Sequence, residues 1–166
     1  KTSMHPNAET IKRFYAAFAE LDPEAMAACY ADDVRFDDEV FSLRGKAQVM
    51  GMWRMLGEAT RAKGQDVWRL EASGIEAHAR PGRVHSDPHY RLSAPGRLVL
   101  NRIDAAFSFN PDGLIVTHRD RFDFWAWSRQ ALGAPGWLLG WTPLLRNKVR
   151  QQAAANLRKF LAAKGA

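Results

Sequence analysis

The chain has one cysteine, Cys29. That excludes an intrachain disulfide framework and a cysteine-rich metal site. Its neighbours Ala27, Ala28 and Tyr30 mark it as a buried packing residue. No apolar run approaches the roughly 20 residues of a membrane-spanning helix. The opening Lys1-Thr2-Ser3-Met4-His5-Pro6 lacks the apolar core of a signal peptide, so a cytoplasmic location is expected. Internal repeats and low-complexity tracts are also missing. What is present is ordinary for a globular chain: 166 residues, 46% hydrophobic and 25% charged, enough for one domain with its own core. The formal charge of +6 raises the question of nucleic acid, but the basic residues are spread thinly. The densest group, Arg146, Lys148, Arg150, Arg158, Lys159 and Lys164, reads as a solvated helix face, and no nucleic-acid partner is expected.

The residues around which the rest is arranged are 114–124, which follow the turn signal Asn110-Pro111-Asp112-Gly113. Alternate side chains of a strand point to opposite faces. One face reads Leu114, Val116, His118, Asp120, Phe122 and Phe124, and its apolar ends predict that it turns inward. A carboxylate there is costly unless something partners or uses it. Arg119 and Arg121 point the other way, which leaves His118, or an arginine from another strand such as Arg91 or Arg102.

Upstream, Asn7 is the expected N-cap of a helix over about 8–20, with Ile11, Phe14, Tyr15, Phe18 and Leu21 at helical spacing. Asp22-Pro23-Glu24 starts a second helix carrying Met26, Ala27 and Tyr30. A short extended piece, 34–38, places Val34, Phe36 and Asp38 on one face. A third helix runs from about Lys46 to Ala62 and is stopped by Gly64. Long strands follow: 67–79 with a bulge or bend at Ser73-Gly74, 84–92 after a turn at Pro81-Gly82, and 98–109 after a turn at Ala94-Pro95-Gly96. Short turns predict an antiparallel meander. Residues 125–132 form a short helix, 133–143 are rich in Gly, Pro and Trp, and 148–163 form a last helix.

Helices followed by a curved antiparallel sheet describe an α+β cone. Within that order, Ala31-Asp32-Asp33-Val34-Arg35-Phe36-Asp37-Asp38, ahead of Arg44-Gly45-Lys46, resembles the signature stretch of the NTF2-like superfamily. More narrowly it is similar to the ketosteroid-isomerase and SnoaL-like polyketide-cyclase branch. The resemblance covers about 7–124 and implies a cone with N-terminal helices packed on a curved sheet, a deep apolar pocket and frequently a dimer. The domain is then 4–124, with 125–166 a helical extension packed on it. The resemblance places the isomerase base near Asp38. Its tyrosine donor falls at Phe14, one place from Tyr15, and its aspartic-acid donor near Ala105, one place from Asp104. One match and two misses argue against steroid isomerisation.

The residues themselves offer another set. Asp38, His118 and Asp120 are expected in one cavity as catalytic groups, with the Cα atoms of His118 and Asp120 roughly 6.5–7 Å apart. Histidine suits general base work near neutrality, and a desolvated aspartic acid suits acid work. By resemblance to SnoaL-like cyclases, an aspartate on the last long strand serves as acid/base. Tyr15, Trp53, Asn101, Phe107 and Phe122 are the expected substrate-binding residues. His85-Ser86-Asp87-Pro88-His89 has a metal-binding composition, but Pro88 breaks regular geometry and a rim loop is expected instead.

The functional expectation is a small-molecule enzyme with an apolar pocket, without cofactor or metal. It would perform acid/base proton transfer of isomerase, cyclase or dehydratase type on a carbonyl or polyketide-like substrate. The alternative is a non-catalytic hydrophobic-ligand or interaction module of the same fold. The tail, with Trp125, Trp127, Trp137 and Trp141 beside a basic helix, reads as a lid or dimer element. Its sharper reading is a peripheral membrane contact.

Overall fold

The computed structural model describes residues 5–63, 67–78, 81–91 and 97–165. Three helices come first: α1 (Pro6–Ala19), α2 (Pro23–Ala27) and, after strands β1 (Tyr30–Asp37) and β2 (Ser42–Arg44), α3 (Lys46–Lys63). Strands β3 (Arg69–Ala77), β4 (Pro81–Arg91), β5 (Leu98–Leu100), β6 (Ile103–Phe109) and β7 (Ile115–Arg121) follow. The chain closes with α4 (Phe124–Leu132), α5 (Ala134–Leu139) and α6 (Pro143–Ala163). The strands form one sheet in the order β2-β1-β7-β6-β4-β3, with β5 paired to β4. This is an NTF2-like α+β fold with a C-terminal helical addition.

The sheet is mixed, where a purely antiparallel one was expected. β1 runs parallel to β7, with Phe36 opposite His118 and Asp37 opposite Arg119. Tyr30, expected on the second helix, belongs to β1 because α2 stops at Ala27 after one and a half turns. The second correction concerns β7. Ile115, His118 and Asp120 are buried, whereas Val116 is half-buried and Leu114 lies before the strand. Against β6, Ser108 pairs Thr117 but Phe109 pairs Ile115, so Val116 is the extra residue of a bulge. A bulge shifts the alternation by one residue, so the inward face changes parity at Val116. Phe122 lies beyond the strand, and Phe124 opens α4, whose N-cap Asp123 accepts from Ala126 N–H at 3.1 Å.

Other boundaries move for local reasons. The first helix is capped by His5, whose Nδ1 accepts the Asn7 N–H at 3.1 Å, while the Asn7 side chain donates to His78 O at 2.9 Å. Pro81 and Gly82 are the first residues of β4, paired to Ser108 and Phe107. Gly82 leaves room for Ile11 and the Phe109 ring, whose atoms would stand 2.7 and 3.0 Å from a Cβ there. The expected turn residues 94–96, the stop at Gly64 and Ala79 lie outside the described residues. The bend at Ser73-Gly74 is present: register shifts between Ser73 and Glu76, and Gly74 has φ +63°. His85–His89 lie within β4 and form no rim loop. The 98–109 stretch breaks at Asn101-Arg102, yet Val99, Asn101, Ala105, Phe107 and Phe109 are buried as one face.

The core lies between the sheet and α1 and α3, with Ile11, Phe14, Tyr30, Val34, Phe36, Val49 and Ile115 almost free of solvent. The tail is more helical than expected, since α5 occupies the Gly- and Pro-containing stretch and α6 begins at Pro143, capped by Thr142. Leu157 is buried and, with Leu161, sits where a side chain at Gly51 of α3 would go. α5 rests on α4 through Gly136 and Gly140, and a Cβ on either would strike Ser128. Replacing Gly136 with Ala is expected to lower stability by about 1–3 kcal/mol through overpacking against the Ser128 backbone. Urea unfolding would show it as a lowered midpoint at unchanged slope.

Candidate active site

The parallel pairing of β1 and β7 assembles the site. Phe36 and His118 are lateral neighbours, and Asp38 and Asp120 each lie two residues further on. Continuing the register would set the two aspartates abreast, at the usual strand spacing of about 5 Å. β1 ends at Asp37, and Asp38 begins a tight turn in which its N–H donates to Phe41 O at 2.9 Å. Its Oδ1 accepts the N–H groups of Val40 at 2.7 Å and Phe41 at 2.6 Å, and neither uses Oδ2. The Asp38 carboxyl is therefore fixed by its own turn.

Asp120 is fixed from the opposite side. His118 Nε2 lies 2.8 Å from Asp120 Oδ1, and His118 Nδ1 lies 2.7 Å from the Tyr30 hydroxyl. Trp53 Nε1–H donates to that hydroxyl at 3.1 Å. An indole nitrogen can only donate, so the Tyr30 oxygen accepts from Trp53 and has its own hydrogen to give. It gives it to Nδ1, which puts the imidazole hydrogen on Nε2, facing the carboxylate. The chain thus runs one way, from Trp53 through Tyr30 and His118 to Asp120. A cage of rings holds it: Phe107 at 4.4 Å, Phe36 at 4.9 Å and Phe14 at 5.6 Å from the imidazole centroid. His118 is 1% exposed and Asp120 7%.

Burial pushes the Tyr30 hydroxyl well above its ordinary range, only partly opposed by the Trp53 bond, so Tyr30 remains a donor. Tyr15 is raised for the same reason, and the Asp120 charge adds to it while a bond with Ser86 works the other way. Asp38 is raised to about 7, by burial first. The Phe41 and Val40 amides oppose that, and the charges of Asp120 and Glu39 reinforce it. Tyr90, whose oxygen accepts from Trp127 Nε1–H at 2.7 Å, is also raised by burial, with Asp38 contributing. The group therefore pairs one carboxyl biased toward its neutral form with a second held by a hydrogen-bond donor, among hydroxyls that keep their protons.

The structure brings Asp38, His118, Asp120, Tyr15, Trp53 and Phe107 into one region. Asn101 is buried where β5 gives way to β6, with its N–H on Pro88 O at 3.1 Å. Phe122 is half-buried past the end of β7. Asp120 takes His118 as its partner; Arg102 is exposed, and the Arg91 side chain lies outside the described residues. Asp104 faces outward onto His85 at 2.9 Å, and Ala105 occupies the position opposite Asp120. Tyr30, Tyr90, Ser86 and Trp127 were missed. Of these only Tyr30 left a signal, a tyrosine beside the signature stretch, and it was masked by assignment to a helix. Among the described residues, no group of three or more His, Cys, Asp or Glu is placed to hold a metal ion. Phe18, Leu21 and Trp53 line a cavity of about 120 Å³, and a groove of about 640 Å³ lies between β5 and α4–α5.

A profile of the SnoaL-like domain matches residues 11–118. The chain belongs to the SnoaL-like family. Solved structures agree with this fold. A candidate polyketide cyclase from Xanthomonas campestris pv. campestris is 20% identical, with TM-score 0.60 over 75% of this chain and 96% of that one. An LEH-like epoxide hydrolase from M. tuberculosis is 20% identical, with TM-score 0.58 over 84% and 95%. A protein with a ketosteroid isomerase-like fold from Catenulispora acidiphila, in complex with trimethylamine, is 15% identical, with TM-score 0.62 over 81% and 98%. No curated protein matches the sequence. At these identities the SnoaL-like family members share a fold and nothing narrower with this chain. The matched range contains Tyr30, Phe36 and Asp38, while Asp120 lies just past it.

Two outcomes are expected for this SnoaL-like site. Tyr30→Phe strips His118 of a donor and Trp53 of an acceptor, and should cost about 1–3 kcal/mol in urea unfolding. For Asp38, an unfolded chain releases the proton near 4 while the folded one keeps it to about 7. The folded state then binds more protons between those values, so stability falls as pH rises from about 4 to about 7 and is flat above. Melting midpoints across that range should show the slope in wild type and lose it in Asp38→Asn.

Proposed function

We propose that this SnoaL-like domain is a small-molecule enzyme that moves protons on an apolar carbonyl or polyketide-like substrate, without cofactor or metal. The observation that carries this reading is the pair of aspartates at the ends of adjacent parallel strands, one raised to about 7 by burial and the other hydrogen-bonded to a buried histidine. Asp120 is the base: its charge is stabilised by the His118 Nε2–H, and it takes a proton from carbon next to the carbonyl. Asp38 is the acid: with its ordinary value raised to about 7, it supplies a proton to the developing oxyanion or leaving hydroxyl. The Tyr15 hydroxyl, which senses the Asp120 charge, and the Tyr90 hydroxyl, which senses that of Asp38, are kept neutral by burial. His118 is a positioning residue, since it acts through Asp120. Isomerisation, cyclisation and dehydration all use this pair of steps, and the nature of the substrate decides among them.

A second reading, a non-catalytic module for a hydrophobic ligand, is favoured by how tightly aromatic rings fill the space around His118. The two readings separate in deuterium oxide. Wild-type protein is incubated with cyclic and aromatic ketones, and exchange of the hydrogens beside the carbonyl is followed by NMR. The enzyme reading expects exchange that falls about 10²–10⁴-fold in Asp120→Asn and declines as pH rises through about 7, a decline absent in Asp38→Asn. Ligand-induced stabilisation in a melting assay without exchange, unchanged by either substitution, would leave the binding module as the function.

A further inference from the structure

The charge of this protein is concentrated in one segment. From Phe124 to Ala166 there are seven Lys or Arg and no Asp or Glu, so the formal +6 of the chain resides there and the remainder is near neutral. The same segment carries nearly all the exposed apolar bulk. The six large hydrophobic side chains that stand exposed among the described residues are Trp137, Leu138, Leu139, Trp141, Leu144 and Leu98. The first five fall within eight residues. Leu98 joins them across the 640 Å³ groove that it lines with Arg97, Arg129, Gln130 and Trp137.

The packing of α5 explains why they face outward. A surface helix ordinarily buries its large apolar side chains. Here Gly136 and Gly140, one turn apart, form the buried side against Ser128, which admits no side chain. The tryptophans and leucines are left on the other side, with Trp141 and Leu144 each 73% exposed. Monomeric proteins rarely show a contiguous apolar patch without using it. Cations border it. Arg129 lies 4.1 Å over the Trp125 ring and 4.8 Å over that of Trp137, with its Nε buried and without a hydrogen-bond partner. Arg97 is anchored through Nε to Gln130 O at 2.7 Å. Exposed Lys148 and Arg150 follow on α6.

We propose that this face, α5 with the start of α6 and the Arg97–Arg129 groove, docks the protein on an anionic phospholipid surface. Tryptophan and leucine enter the boundary between headgroups and acyl chains, and the groove arginines meet headgroup phosphates. Charge selects this occupant over a second copy of the chain, because self-association through this face would oppose two strongly basic segments. The leucines select it over nucleic acid, since aliphatic side chains neither stack on bases nor pair with phosphates. The contact is peripheral: no described helix is long and apolar enough to cross a membrane.

The test is co-sedimentation of the full chain with vesicles of pure phosphatidylcholine and of equimolar phosphatidylcholine and phosphatidylglycerol, with tryptophan emission recorded. Wild type is expected to pellet with the anionic vesicles, shift its emission to shorter wavelength and release at high salt. The exposed double substitution Trp141→Ser with Leu144→Ser should abolish pelleting at unchanged melting midpoint. Lys148→Glu with Arg150→Glu should weaken binding by at least about fivefold per charge removed. The proposal is overturned if wild type stays in the supernatant at low salt, or if neither double variant changes pelleting. It is equally overturned if sedimentation velocity finds a dimer that Trp141→Ser with Leu144→Ser dissociates, or if duplex DNA removes the protein from vesicles without needing those two side chains.

Discussion

A histidine shut away from water needs a partner at each ring nitrogen, and the interior of this protein is arranged to supply both. His118 takes Tyr30 on one side and Asp120 on the other. An imidazole left with an empty nitrogen in the same place would cost on the order of 1–3 kcal/mol. Satisfying it requires Tyr30 to come from β1 and Asp120 from β7, which requires those two strands to run side by side. It also requires Trp53, on α3, to reach the tyrosine oxygen. One short run of hydrogen bonds thereby ties a helix and two strands distant in sequence into a single unit. The aromatic shell around it keeps water out, which raises the electrostatic weight of each bond.

The same arrangement leaves two aspartates unequal. Asp120 receives a hydrogen from the imidazole, while Asp38 receives only its own turn amides and suffers burial and the charge of its neighbour. In the proposed reaction this inequality is what divides acid from base. The SnoaL-like fold alone supplies no such division, and neighbours of similar shape carry names as different as cyclase and epoxide hydrolase. In this chain the side chains meet across β1 and β7, and the C-terminal helices pack against β5 and α3. Trp127 of α4 donates to Tyr90, and Arg146 of α6 reaches Glu39 beside Asp38 at 3.7 Å. The tail thus meets the region of the carboxyls at two points.

Much of the architecture could be read from local pattern. The helices announced themselves by apolar spacing and by caps such as Asp22-Pro23, and the bulge at Ser73-Gly74 by its glycine. Asp38, His118 and Asp120 stood out because polar groups interrupted apolar faces. Tyr30 did not, because a tyrosine three residues past a helix end is locally indistinguishable from one more helical residue. Asn101 and Phe122 matched the pattern of pocket residues; the structure buries Asn101 beside Pro88 and leaves Phe122 half-buried past the end of β7.

The sequence by itself determined the family and most of the order of helices and strands, and it singled out Asp38, His118 and Asp120 as polar groups on apolar faces, because periodicity, capping and turn chemistry act over a few neighbouring positions. Only the tertiary structure decided the parallel union of β1 with β7, the bulge at Val116 that reverses which residues face inward, and the outward tryptophans of α5. Each of these depends on hydrogen bonds or close contacts between residues far apart in the chain: Phe36 with His118, Phe109 with Ile115, Gly136 with Ser128. A one-residue change of register costs little in local conformation but exchanges every side chain between core and solvent, so the burial of the whole assembly selects it.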